Sequence, residues 1–126
     1  MKYHKIVLSP LGHTWILDLD GTIMKHNGYK LDGADTFLPG ALEFLRAIPE
    51  TDMIIFLTSR SEDYREATVK ALESEHVRYD HIIFQAPYGE RILVNDKKPS
   101  GLITGLAVNI QRDRWKKIEI EIDPTL

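Results

Sequence analysis

The run Trp15-Ile-Leu-Asp18-Leu-Asp20-Gly21-Thr22-Ile23 constrains this chain more than any other stretch. Its apolar residues read as a buried strand that ends in two carboxylates two positions apart. Side chains alternate faces along a strand, so Asp18 and Asp20 leave it on the same side. Gly21 then permits a sharp turn that a Cβ would resist. Two anions held this close repel each other, and both stay ionised only with a cation or a basic group beside them. Mg²⁺ takes carboxylate and carbonyl oxygens and works with one or two carboxylates plus substrate phosphate. The stretch therefore predicts a metal-assisted carboxylate site at the C-terminal end of a strand.

Punctuation elsewhere predicts alternating strands and helices. Tyr3 to Leu8 and Thr14 to Leu19 read as strands separated by the turn Ser9-Pro10-Leu11-Gly12. Met24 to Leu38 is polar and glycine-bearing, as in a loop or short hairpin. Pro39-Gly40 opens a helix to about Ile48, with Leu42, Leu45 and Ile48 at helical spacing. Met53 to Leu57 is a continuous apolar run, typical of a strand covered on both faces. Ser61, followed by Glu62 and Asp63, starts a helix predicted to reach Glu75. His81 to Phe84, Arg91 to Val94 and Leu106 to Ile110 are further predicted strands. Ile118, Ile120 and Ile122 alternate with Lys117, Glu119 and Glu121, the pattern of a half-buried edge strand. The expected fold is α/β: a doubly wound, Rossmann-like, mostly parallel sheet with helices on both faces, in a single domain over 1–126. Ligands bind such sheets beyond the carboxyl ends of the strands. Asp18, Asp20, Thr58 to Arg60, and Asp96 with its lysines all fall at predicted ends.

The order Asp-x-Asp-Gly-Thr resembles the first motif of the haloacid dehalogenase (HAD) superfamily of phosphohydrolases. For phosphatases of that superfamily the resemblance implies a nucleophile at Asp18 and a general acid/base at Asp20. It implies Mg²⁺ held by Asp18, by the main-chain carbonyl of Asp20 and by Asp96, the third acidic position. Many members carry a second acidic residue after the one matched by Asp96; here Lys97, Lys98, Pro99 and Ser100 follow. Thr58 matches the hydroxyl of the second motif, which binds a phosphoryl oxygen. Ser59 belongs to the same strand end, and Arg60 could grip phosphate bidentately or pair with Glu62 or Asp63. The third motif is a lysine that steadies nucleophile and phosphate, and Lys97 or Lys98 is the expected candidate.

Between Ile23 and Pro39 there are fifteen residues, too few for the cap domain that usually selects substrate. The resemblance is thus to a capless member, spanning about residues 14 to 110, whose open site a homo-oligomer would cover. Gly89 to Pro99 also looks like a small bacterial group associated with surface-polysaccharide biosynthesis, which implies a small phosphorylated sugar as substrate. Thr58-Ser59-Arg60 resembles enzymes that trim phosphates from nucleic-acid ends. A net charge of −3 and the lack of aromatic-basic interleaving make nucleic acid the less expected partner. A third possibility is a phospho-receiver or binding module without turnover. Receivers, however, carry the phosphorylated aspartate on a later strand and need no general acid at Asp20.

With no cysteine the chain has no disulfide framework, thiolate metal site or cysteine nucleophile. The five histidines lack metal-binding spacing. No apolar run approaches the ~18 residues of a membrane span. The apolar run before Ser9-Pro10 is too short for a signal peptide. A cytoplasmic location is the default expectation.

Overall fold

A computed structural model describes residues 4–126. Among them, five strands, all paired in parallel, and three α-helices make a mixed α/β structure of two small open sheets. In chain order these are β1 (His4–Leu8), β2 (Thr14–Asp18), α1 (Gly28–Leu31), α2 (Ala41–Ala47), β3 (Met53–Leu57), α3 (Arg65–Ser74), β4 (His81–Ile83) and β5 (Ile118–Ile122). A 3₁₀ turn, Glu62–Tyr64, leads into α3, with the Ser61 hydroxyl accepting from the Asp63 N–H at 3.2 Å. That contact is the expected N-terminal cap, used on a tighter turn than an α-helix.

The main sheet has the order β2-β3-β4. β3 is central because its apolar run has a neighbour on each edge and buries Ile54 and Phe56 completely. Helices α2 and α3 supply the two crossovers that parallel strands require. One core forms where Leu17, Leu19, Ile54 and Phe56 meet Ala41, Leu45, Ile48 and Leu72. Phe44 extends it, standing edge-on to Trp15 at 5.4 Å and tilted against Trp115 at 4.8 Å. Full burial of side chains like these contributes about 1.5–3 kcal/mol each. The second sheet pairs β1 with β5, His4 opposite Ile118 and Leu8 opposite Ile122.

Asp52 ties the start of the main sheet together. Its carboxylate accepts from the His13 N–H and from Trp15 Nε1, both at 3.0 Å. Burial pushes this carboxyl up, but the Trp15 and His13 hydrogen bonds and the His13 charge outweigh it and hold its pKa below the usual aspartate range.

The strands expected at Arg91 to Val94 and Leu106 to Ile110 are not formed; residues 84 to 117 contain no helix or strand. Ile92 and Val94 are 85% and 90% exposed. Their apolar runs satisfy strand propensity, but that propensity expresses packing against neighbours, and here neither run joins a ladder. The Tyr3 end of the first expected strand lies outside the described residues. The loop after Met24 contains the short helix α1, which its glycines concealed.

Candidate functional site

The register of the main sheet assembles the site. Asp18 sits opposite Leu57, so the end of β2 and the segment Thr58-Ser59-Arg60 emerge side by side. The next turn folds tightly: the N–H groups of Thr22, Ile23 and Met24 all converge on the Leu19 carbonyl at 3.3, 2.9 and 2.9 Å. Gly21 adopts φ +84°, and the Arg112 Cγ lies 3.2 Å from where a Cβ would stand. Both the backbone and the close approach therefore demand glycine.

Asp18 is half-buried, and its two oxygens take different partners. Arg91 Nη1 donates to Oδ1 at 3.1 Å, and the Thr22 hydroxyl donates to Oδ2 at 3.3 Å. The same Arg91 nitrogen donates to the Leu57 carbonyl at 3.2 Å, and Nη2 reaches the Ser59 hydroxyl at 3.4 Å. Arg91 thus bridges the ends of β2 and β3 and brings a positive charge to the carboxylate.

Asp20 is bound more tightly. Arg60 grips it with Nε on Oδ2 at 3.0 Å and Nη2 on Oδ1 at 2.9 Å. The same guanidinium holds Asp35 through both terminal nitrogens at 2.9 and 2.6 Å, and donates to the Thr68 hydroxyl at 2.8 Å. Tyr29 covers its face, with the ring centroid 4.0 Å from Cζ. The Arg60 side chain is 1% exposed. Burial disfavours its charge, but the hydrogen bonds to Asp35 and Asp20 outweigh that and raise its pKa. Tyr29 is also raised, by burial first and by the Asp20 charge next. With every guanidinium N–H committed to protein, Arg60 orients Asp20 and fastens the 24–37 loop.

The other expected residues are placed as follows. Thr58 is completely buried, and its hydroxyl accepts from the Arg60 N–H at 3.1 Å, the role of a turn-forming threonine. Ser59 stands at the strand end with its hydroxyl toward the Pro87 carbonyl and Arg91. Asp96 is exposed in an irregular segment, where its carbonyl accepts from the Thr104 hydroxyl. Lys97 and Lys98 belong to an exposed turn closed by Gly101 N–H to the Lys98 carbonyl, and neither bonds Asp18 or Asp20. Asp18, Asp20, Thr58, Ser59 and Arg60 are therefore brought together, whereas Asp96 and the two lysines are not bonded to them.

No cluster of three or more metal-ligating side chains occurs among the described residues. Of the groups expected to hold Mg²⁺, the Asp18 carboxylate is paired with Arg91, the Asp20 side chain is paired with Arg60, and Asp96 is bonded to neither aspartate.

Sequence reading missed Arg91, Asp35, Tyr29, Thr68 and Thr22. Arg91 had a signal: it is a cation five positions before Asp96, on the opposite side of it from the expected Lys97 and Lys98. Asp35 had none, since a loop carboxylate has no periodicity to betray its partner.

The fold and site define a parallel α/β protein with an acidic strand-end site clamped by two arginines. No protein-family model matches the chain, and no curated protein matches it. Among solved structures, a chain of the Pnkp1/Rnl/Hen1 complex is similar, with a TM-score of 0.51 and 26% sequence identity over 66% of this chain. The match covers 31% of that chain, so the present sequence corresponds to under a third of its length.

Among the described residues no helix is long and apolar enough to cross a membrane.

Proposed function

We propose that this chain is a phosphatase core of the HAD-like, doubly wound, capless type, acting on the terminal phosphate of a nucleic acid. The observation that carries the reading is the paired strand end: Asp18 and Asp20 beside Thr58-Ser59-Arg60, with Arg91 on Asp18. The nucleic-acid end is preferred to a small phosphorylated sugar on two grounds. These are the resemblance of Thr58-Ser59-Arg60 to end-trimming phosphatases and the likeness to a chain of the Pnkp1/Rnl/Hen1 complex.

In this reading an Asp18 carboxylate oxygen attacks phosphorus and the ester P–O bond breaks. The departing alkoxide takes the proton of the Asp20 carboxyl. Water then loses a proton to Asp20 and attacks the aspartyl-phosphate, releasing inorganic phosphate and restoring both side chains. Arg91 neutralises charge between nucleophile and incoming phosphate, the electrostatic contribution on which phosphoryl transfer chiefly depends. Arg60 holds Asp20 in position. Mg²⁺ belongs to this reading by resemblance, and no step above is routed through it.

The test is hydrolysis of a generic aryl phosphate, with and without Mg²⁺, by the wild type and by Asp18→Asn, followed by release of phosphate from a phosphorylated oligonucleotide. Turnover that the substitution reduces by at least about a thousandfold supports the reading, since the residual rate then reflects binding without a nucleophile. Turnover indifferent to Asp18→Asn overturns it. Release from a panel of sugar phosphates, with none from the oligonucleotide, restores the small-metabolite substrate.

A further inference from the structure

The chain contains seven arginines, and five have carboxylate partners: Arg46 with Glu75, Arg60 with Asp20 and Asp35, Arg65 with Glu62, Arg78 with Asp80, and Arg91 with Asp18. Arg112 and Arg114 have no side-chain hydrogen bond or ion pair among the described residues, and both are exposed. They lie in Gln111-Arg112-Asp113-Arg114-Trp115-Lys116-Lys117, where four cations accompany one carboxylate. Seven residues thus carry +3 in a chain of net charge −3, which leaves −6 on all the others. The total charge conceals this segregation.

The segment is fastened to the site. The Asp113 N–H donates to the Gly21 carbonyl at 2.8 Å, and the Asp113 carboxylate accepts from the His26 N–H at 2.6 Å. Arg112 packs on Gly21, the residue after Asp20. Trp115 seats its ring on Gly40, with Cδ1 3.1 Å from where a Cβ would stand, and against Phe44. The tryptophan is an anchor rather than a stacking platform, and the one carboxylate of the segment is occupied by a backbone donor. Arg112 and Arg114, unpartnered among the described residues, face solvent beside Lys116 and Lys117, in a segment that begins at the rim of the acidic strand end.

A single small phosphate would be served by one convergent pocket. A row of separate cations on an anchored ribbon suits a repeating anion instead, each cation displacing counterions from one phosphate. We propose that Gln111–Lys117 docks the phosphodiester backbone of a single-stranded nucleic acid. That its terminal phosphate then enters the Asp18/Asp20 site rests on the phosphatase reading above. Arginine suits this surface because its planar head can bridge a phosphate or lie on a base.

The experiment is fluorescence anisotropy of a short dye-labelled single strand with a terminal phosphate, titrated at several salt concentrations. It compares the wild type, Arg114→Glu, Arg114→Lys and a charge-matched control, Lys70→Glu, on the exposed side of α3. Circular dichroism checks that each variant is folded. Arg114→Glu is expected to weaken binding at least about tenfold and to reduce the salt slope by roughly 1. Arg114→Lys should keep most of the affinity, and Lys70→Glu should leave the slope unchanged. Absence of wild-type binding, equal losses in Arg114→Glu and Lys70→Glu, or equally tight binding of dextran sulfate would each overturn the proposal. The measurement needs no turnover. If the strand binds through these cations while neither it nor an aryl phosphate is hydrolysed, the phosphatase reading fails and the docking surface stands. If aryl phosphate is hydrolysed while strand affinity ignores Arg114, the surface fails and the phosphatase stands.

Discussion

Residues 14–83 and 84–117 differ in almost every respect that matters for folding. The first span holds the three-stranded sheet, its two crossover helices and nearly all the buried apolar side chains. The second has no helix or strand and leaves Tyr88, Ile92 and Val94 at 91%, 85% and 90% exposure. Both contain short runs of branched apolar residues, Met53 to Leu57 in one and Arg91 to Val94 in the other. In the first a parallel neighbour on each edge turns propensity into structure. In the second each run lacks a partner strand. Apolar composition nominates a strand, and a neighbour elects it. Yet the irregular span also contributes to the site, because Arg91 reaches Asp18 and Asp113 reaches Gly21. A stretch can be poor in secondary structure and still be positioned, when a few polar contacts land on a rigid frame.

The largest effect is expected within the first span, at Arg60, where the 24–37 loop and the sheet share one buried cation. Arg60→Met removes the counter-charge of both Asp20 and Asp35 and should cost about 3–5 kcal/mol, read by urea unfolding at neutral pH. Adding Asp35→Asn should recover part of that loss, because one stranded carboxylate is then gone. A second effect of similar origin and smaller size is expected at Asp52. Asp52→Ala strips acceptors from the His13 N–H and Trp15 Nε1 and should cost about 1–3 kcal/mol.

The pH dependence at Asp52 has a defined sign. Its pKa is lower in the folded chain than in the unfolded one. The resulting stability is present above the ordinary aspartate value of about 4 and is lost as pH falls below it. Thermal unfolding from neutral pH down through that range should therefore show a steeper acid loss for wild type than for Asp52→Asn. The smallest effect is expected in the irregular span: Ile92→Ser and Val94→Ser should each change stability by no more than about 0.5 kcal/mol, since little contact is lost. A loss of 2 kcal/mol or so at Val94 would mean that the run is covered in solution, and the contrast between the two spans would collapse.

What could be read from residues alone follows the same division. The strands ending at Asp18 and Leu57, the Ser61 cap and the Ile118 to Ile122 strand all announce themselves through local pattern, and all are formed, although Ile120 and Ile122 are left exposed rather than covered. Asp18 and Asp20 are legible because strand period places them together before any tertiary structure is known. The Arg60 clamp is not. A surface ion pair with Glu62 is the local expectation, whereas the observed partners are 40 and 25 positions away in sequence. Arg65 takes Glu62 instead. Long-range partnership of this kind is decided by which loop folds over which helix. The basic ribbon at Arg112 was hidden differently, by averaging it into a net charge of opposite sign.

The parallel ladder between β1 and β5 has a consequence for how the protein is made. The first described strand finds its hydrogen-bonding partner in the last, with His4 opposite Ile118. During synthesis β2, β3 and β4 can pair as soon as they clear the ribosome, but β1 must wait until β5, more than a hundred residues later, has emerged. Its edge stays open for that interval, a template for other chains during slow, non-local pairing. Charged Lys5 in the middle of that strand is then a guard at the moment of birth, before it meets Glu121 across the finished ladder.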